Sequence, residues 1–205
     1  MNYNSEPAES RTERKKEATR QNILDAALKM FKAQGVDNTT MEQIALEADI
    51  AKGTLYNYFP VKEAIIDEIM KRSFREKHPG RIEDLKQLPD TRSRMVLVFT
   101  QLIEGIKDNK EFYEKYTVYR MQKMASLHQD DSVKSGLHFL ESAIIELGQK
   151  SGEIRTDYPK HIVRDLFEFA FVESVKQFYM EPDNYDITEA VEKCVDIFID
   201  WATKQ

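Results

Sequence analysis

Between Thr39 and Pro60 the chain has room for two helices of about two turns each, joined by a short turn, and this most constrains its fold. Thr39-x-x-Glu42 and Thr40-x-x-Gln43 both satisfy the capping-box pattern, in which side chains bond the backbone N–H groups left over at a helix start. The pattern leaves the choice of cap open. Met41, Ile44, Ala45 and Ala48 then line one face. After Asp49-Ile50, residues 51–59 form a third short helix bounded by Pro60, which lacks the N–H that continuation requires. Upstream, Ile23, Leu24, Ala27, Leu28, Met30 and Phe31 give an apolar stripe at helical spacing that stops near Gly35. Three helices within about 45 residues, the last two joined by a turn of three or four, are a helix-turn-helix arrangement.

The flanks are read from the same periodicity. Residues 1–16 are charged and carry no apolar period, so a disordered arm is expected, ending in the basic stretch Arg11, Arg14, Lys15, Lys16. Beyond Pro60, Val61, Ile65, Ile69, Met70 and Phe74 predict a helix to about residue 77, with His78-Pro79-Gly80 expected to end it. Further helices are expected over 91–108, 111–127, 132–150, 159–180 and 187–203, and in the third of these Val133, Leu137, Leu140, Ile144 and Leu147 form a packing seam. With only 7 Gly and 6 Pro in 205 residues, turns are too sparse for a many-stranded fold, and the expected class is all-α.

The last two helices differ in kind. In 187–203 the apolar residues fall on one half of the circumference, as in a helix packed on one side. In 159–180 they spread almost all the way round, which implies burial on several sides and hence a second subunit in a symmetric interface. The expected interface residues are Phe171, Val175, Phe178, Val191, Phe198 and Trp201.

Charge narrows the function. The net −6 resides entirely in residues 63–205, which hold 21 basic and 27 acidic residues, whereas 1–62 hold nine of each. An anion-binding surface therefore belongs near the N-terminus. The longest apolar run, Met95–Phe99, is far below the roughly 20 residues that span a bilayer. The N-terminus lacks the apolar core of a signal peptide, and the single Cys194 forms no intrachain disulfide, so a reducing cytoplasm is expected. The four His are dispersed without metal-ligand spacing, and no Gly-rich phosphate loop or nucleophile elbow occurs, so neither a metal, a cofactor nor catalysis is expected.

The run beginning at Thr39, TTMEQIALEADIAKGTLYNYFPVKE, resembles the DNA-binding signature of the TetR (tetracycline-repressor-like) family of bacterial transcriptional regulators. Ile44-Ala45, the core Lys52-Gly53-Thr54-Leu55-Tyr56, and Tyr58-Phe59 followed by Lys62-Glu63 fall at the family's spacing. The chain departs from the family at Asp49, where Gly is common, and at Ala51, where Ser or Thr is common. Asp tolerates left-handed backbone angles, while Ala51 removes a capping hydroxyl. The resemblance implies a helix-turn-helix DNA-binding domain over 17–63 and a larger helical ligand-binding and dimerisation domain over 64–205, about nine helices in all. It also implies a homodimer on a palindromic operator in double-stranded DNA, released by a small effector, with repression resting on family analogy.

Individual residues can be given roles. Lys52 stands at a helix start, Gly53 permits close backbone approach, and Thr54 offers a hydroxyl and a methyl to base edges. Tyr56, Asn57 and Tyr58 can reach phosphates or bases, Lys62 a phosphate outside the groove, and Thr40 serves as cap or phosphate contact. Each alone reads equally as a solvated or core residue; Leu55 and Phe59 are expected in the core. By family layout the effector chamber lies among Phe74, Phe99, Tyr113, Tyr116, Tyr119, Met121, Met124, Phe139, Phe167 and Phe171, although aromatics at helical spacing are ordinarily core. These imply an apolar or aromatic effector, with Tyr hydroxyls, Arg120, His128 or His138 as polar handles. The competing reading is a helical small-molecule-binding protein or enzyme that uses no DNA.

Overall fold

The computed structural model describes residues 10–125 and 135–203, without the side chains of 77–79, and within them it is helical with no strand. The helices are α1 (Arg11–Gln34), α2 (Met41–Glu47), α3 (Lys52–Tyr58), α4 (Lys62–Gln87), α5 (Thr91–Asp108), α6 (Lys110–Met124), α7 (His138–Ser151), α8 (Lys160–Met180) and α9 (Ile187–Ala202). The chain divides into two compact units, one ending at Ile65 and the other beginning at Ile66. Helix α4 thus starts in the first and continues in the second.

In the first unit, Ile23, Leu24, Ala27 and Phe31 of α1, Ile44 and Ala45 of α2, and Leu55 of α3 are buried, each at the position its period predicts. Helix α1 begins earlier than expected. Ser10 Oγ accepts from Glu13 N at 3.2 Å and the Glu13 carboxylate accepts from Ser10 N at 2.8 Å, a complete capping box. The disordered arm expected over 1–16 is therefore corrected for 11–16, where good helix formers need no apolar face once the start is capped; residues 1–9 lie outside the described residues. At α2 the two threonines divide the work. Thr40 is the cap, exchanging bonds with Gln43, while Thr39 Oγ1 donates to Gly35 O at 2.7 Å.

The turn after α2 is closed by a Schellman pair: Ile50 N donates to Ala45 O at 3.0 Å and Asp49 N to Leu46 O at 3.1 Å. Such a pair needs its middle residue left-handed, and Asp49 is so, with φ 51°. Asn22 Nδ2 on α1 donates to Ala48 O at 2.7 Å and fixes the same turn from beneath.

In the second unit, α4 does not stop at His78-Pro79-Gly80 but runs on to Gln87. Proline removes one helical hydrogen bond, and the segment beyond it is held by other means. Leu85 is buried, and the buried Arg94 of α5 donates from Nε to Leu85 O at 3.0 Å and from Nη2 to Leu88 O at 2.9 Å. Helix α7 begins at His138 rather than 132, with Ser135 Oγ accepting from His138 N at 3.0 Å; Val133 and the ends of the helices expected to reach 127 and to start at 132 lie outside the described residues.

The centre of this unit is aromatic. Phe99 of α5 lies 4.4 Å from Phe171 and 4.7 Å from Phe167, centroid to centroid, and Phe167 lies 4.7 Å from Phe198 of α9. Helix α8 consequently spends one face, Val163, Phe167, Phe171, Val175 and Phe178, inside its own chain. The interface residues expected from sequence are corrected accordingly. Phe171, Val175, Phe178, Val191 and Phe198 are buried without any second subunit, and only Trp201, 36% exposed, remains at the surface. The unpartnered apolar face is a different one, in which Ile162, Leu166 (51% exposed) and Phe169 (60%) line α8 at helical spacing and Ile197 (70%) stands out from α9.

Asp49→Val should lower stability by about 1–2 kcal/mol, because a β-branched side chain is strained at positive φ, whereas Asp49→Gly should cost nothing. Urea denaturation of both variants checks this; equal stabilities would remove the turn's constraint from the account.

Candidate nucleic-acid interface and interior chamber

Helix α3 is anchored on one side and bare on the other. Leu55 is fully buried, and Phe59 just beyond the helix is buried with the Arg20 guanidinium 5.7 Å over its ring. On the opposite side Lys52, Gly53, Tyr56 and Asn57 are exposed, with Thr54 and Tyr58 half-buried at its edges. Six of the residues expected to face a ligand thus share one short helix, four of them on its solvent side.

Three details define this surface chemically. Ala51 at the cap position makes no side-chain bond, so the expected loss of a capping hydroxyl is real. The Lys52 ammonium is ion-paired with Glu42 of α2 and lies 5.9 Å over the Tyr56 ring; its hydrogen bond to Lys52 holds the Glu42 carboxyl below the usual range, and the same bond raises the lysine. Glu42 therefore faces this surface and shields its cation. Gly53 is the third. Its φ is not positive, and a Cβ built there meets nothing in the chain.

Thr40 is exposed, and its hydroxyl accepts from Gln43 N, which leaves its own proton available to a phosphate oxygen. Lys62 is placed otherwise than expected. Its Nζ donates to Val36 O at 2.5 Å and Thr39 O at 2.9 Å, so its charge closes the α1–α2 connection and pins the start of α4 to it. A lysine at the first position of a new helix gives no sequence signal for this, since both acceptors are main-chain.

The second unit holds an interior chamber of about 40 Å³. Of the aromatics expected there, Phe74, Tyr116 and Phe171 line it, and so does Tyr113. Phe99 and Phe167 belong instead to the aromatic centre of the core, Tyr119 lies under the Lys123 ammonium away from the lining, and Phe139 is 49% exposed on α7. Met121 and Met124 border an open groove beside Leu166 and Phe169. The chamber's polar end was only partly foreseen. Arg120 lines it as one of the expected handles, and its Nη2 donates to Glu168 Oε1 at 3.1 Å. Glu168 itself was missed, although an acid three and seven residues before Phe171 and Val175 sits on their buried face. Thr117 and Ser135 complete the polar lining. His138 lies beside Arg164, outside the lining, and His128 lies outside the described residues. Burial pushes the Tyr113 and Tyr116 hydroxyls up, so both are neutral hydrogen-bond donors at physiological pH.

Comparison with known proteins places these features. Residues 23–69 match the family described as bacterial regulatory proteins, tetR family. The fatty acid metabolism regulator protein of Bacillus subtilis is 23% identical over 179 residues, covering 86% of this chain and 92% of that protein. Among solved structures, Thermus thermophilus FadR, a repressor in complex with lauroyl-CoA, superposes with a TM-score of 0.68 at 20% identity over 91% of this chain and 96% of its own. RolR in complex with resorcinol gives 0.67 at 16% identity over 94% and 91%.

Lys62→Met should lower the stability of the chain by about 1.5–3 kcal/mol by leaving two part-buried carbonyls without a charged donor. Thermal or urea unfolding measures this, and an unchanged midpoint would show that the bonds are dispensable.

Proposed function

We infer that this chain, which belongs to the tetR family of bacterial regulatory proteins, represses transcription as a homodimer that an effector releases from a palindromic operator. The observation that carries the reading is the bare face of α3. Lys52, Gly53, Tyr56 and Asn57 stand in solvent on a helix whose other side is locked by Leu55 and Phe59. Such a helix fits the major groove, with polar side chains at base edges and phosphates. Gly53 supports this further. A glycine inside a helix costs about 0.5–1 kcal/mol relative to alanine, and nothing within the chain requires one here. The requirement lies outside the chain, where a backbone can approach the duplex at that point. Phosphate would exchange with Glu42 for Lys52, while Thr40 and Tyr58 border the same face. A protein acting on DNA in this way would work in the cytoplasm.

Two reading heads are needed for a palindrome, about 34 Å or a multiple apart. The face bearing Ile162, Leu166 and Phe169 of α8, continued by Ile197 and Trp201 of α9, supplies the self-complementary apolar surface for pairing with a second copy. The effector would be a small apolar or aromatic molecule in the chamber lined by Phe74, Tyr113, Tyr116 and Phe171. The structurally similar FadR and RolR are found with lauroyl-CoA and resorcinol, one carrying an apolar chain and the other an aromatic ring. Space of about 40 Å³ holds a water molecule or so, so an effector must widen the chamber and displace wall residues, Met70 and Phe74 of α4 among them. Because α4 begins at Lys62, pinned in the first unit, a ligand that favours one position of α4 couples to the reading head.

Gel shift on fragments of the gene's own upstream region tests DNA binding; absence of all salt-sensitive, sequence-selective binding would favour a helical small-molecule-binding protein or enzyme that uses no DNA. In the same assay Gly53→Ala should weaken operator binding at least tenfold while raising stability by about 0.5–1 kcal/mol. A variant with unchanged affinity would place the duplex elsewhere. For the pairing, Phe169→Asp combined with Leu166→Asp should yield a folded monomer in sedimentation velocity and abolish the operator complex; a persisting dimer would move the interface off this face.

A further inference from the structure

Around the chamber, among the described residues, one buried acid lacks the cation that each of its neighbours has, and it stands behind the lining, one helical turn after the lining residue Leu137. Asp67 of α4 is paired with Lys71 Nζ at 2.9 Å, Glu68 with Arg75 Nη2 at 2.9 Å, and Glu168 of α8 with Arg120 Nη2 at 3.1 Å. Glu141 of α7 is a fourth buried acid, 2% exposed, and neither of its carboxylate oxygens meets a hydrogen-bond donor. It lies within electrostatic reach of Glu168 and of Arg120, which both line the chamber, and of Arg164, which is itself bonded to Asp165 at 2.5 Å. An unpaired carboxylate is among the most costly groups to bury. Burial and the neighbouring Glu168 push the Glu141 carboxyl well above the usual range, the response of an acid held without its counter-charge.

The remaining wall is what a cation favours. Phe74, Tyr113, Tyr116 and Phe171 present aromatic rings to the same space. An anionic ligand group would have to take Arg120 from Glu168 and then lie beside Glu168, with Asp67 and Glu141 within electrostatic reach of the same arginine behind the lining, whereas a cation would be favoured by all three acids.

We propose that the effector of this chain is an aromatic or hydrophobic cation, a protonated amine or a quaternary ammonium, whose charge is met by Glu168 in the lining, with the unpaired Glu141 behind it adding its field, and whose apolar body lies against Phe74, Tyr113, Tyr116 and Phe171. This rests on reading the chamber as the effector site. It sets the chain apart from the similar FadR, whose ligand is lauroyl-CoA, since the CoA phosphates have no cationic partner among the residues lining this chamber other than Arg120.

The test uses the full-length protein and three probes: phenyltrimethylammonium, its neutral carbon isostere tert-butylbenzene, and lauroyl-CoA. Isothermal titration should show the cation binding at least tenfold more tightly than the neutral isostere, with lauroyl-CoA weaker than the cation. Glu168→Gln and Glu141→Gln, both near-isosteric, should each reduce the cation's advantage at least fivefold and leave tert-butylbenzene unchanged. A purely structural role for the two acids would alter the melting temperature without altering the ratio of the two affinities. Equal binding of cation and isostere, preference for lauroyl-CoA, no binding of any probe, or an undiminished ratio in both variants would each overturn the proposal. Gel shift with the same protein separates this from the regulatory reading. Loss of DNA binding with the cation preference intact sinks only the latter, and a DNA complex that lauroyl-CoA releases and the ammonium does not sinks only the former.

Discussion

A helix of seven residues cannot hold itself together in water, and both α2 and α3 are that short. Everything the first unit presents to a partner depends on what lies beneath them. Leu55 and Phe59 under α3, and Ile44 and Ala45 under α2, are buried with the α1 stripe of Ile23, Leu24, Ala27 and Phe31. Full burial of a side chain such as Leu55 is worth about 1.5–3 kcal/mol, more than the propensity of so short a helix can supply. The ends are then fixed by directional bonds rather than by packing: Thr40 at the start of α2, the Asp49 turn at its end, and Lys62 on the carbonyls of Val36 and Thr39. A rigid base frees the outer face of α3 to be polar and to carry a glycine.

Much of this was legible in the sequence, because short amphipathic helices are written in period and punctuation. The α1 stripe, the paired capping boxes before Met41 and the Pro60 stop place the end of α1 and both bounds of α2 and α3 within a residue or two, but not the start of α1. What escaped reading involves the main chain as partner. Lys62 looked like a surface cation because its acceptors are carbonyls, which carry no sequence signature. Pro79 looked like a stop because the forces that carry α4 past it, the burial of Leu85 and the Arg94 bonds to carbonyls 85 and 88, come from another helix. The Ser10 box was overlooked because α1's first turns bury nothing.

The second unit shows a different limit. Periodicity identified α8 as apolar all round, but it could not say which side its own chain uses. Phe167, Phe171, Val175 and Phe178 are claimed by α5 and α9, through contacts such as Phe99 with Phe167 and Phe171, so the stripe left over is Ile162, Leu166 and Phe169. The same sharing decides the chamber. Phe99 and Phe167 are consumed by the core, and the aromatics left to line open space are those facing the buried acids and Arg120. Glu141 and Glu168 were readable in principle, each being an acid set into an apolar helical face, Glu141 with Ile144, Ile145 and Gly148 and Glu168 with Phe171 and Val175.

The small size of the chamber bears on how a signal could leave it. Its walls are unequal. Those from α5 and α8 are held by the Phe99, Phe167, Phe171 and Phe198 cluster, which α9 closes from behind, so moving them would break several aromatic contacts at once. The wall from α4 is Met70 and Phe74, a thioether chain with three rotatable bonds and a single ring. Close-packed interiors yield at their least connected boundary, because displacing one element costs fewer contacts than displacing a cluster. That boundary is α4, which starts in the first unit and continues in the second, and its start is fastened by two charge-assisted bonds from Lys62. An effector that favours one placement of Met70 and Phe74 would thereby favour one position of α4, at the smallest cost in contacts to the rest of the second unit.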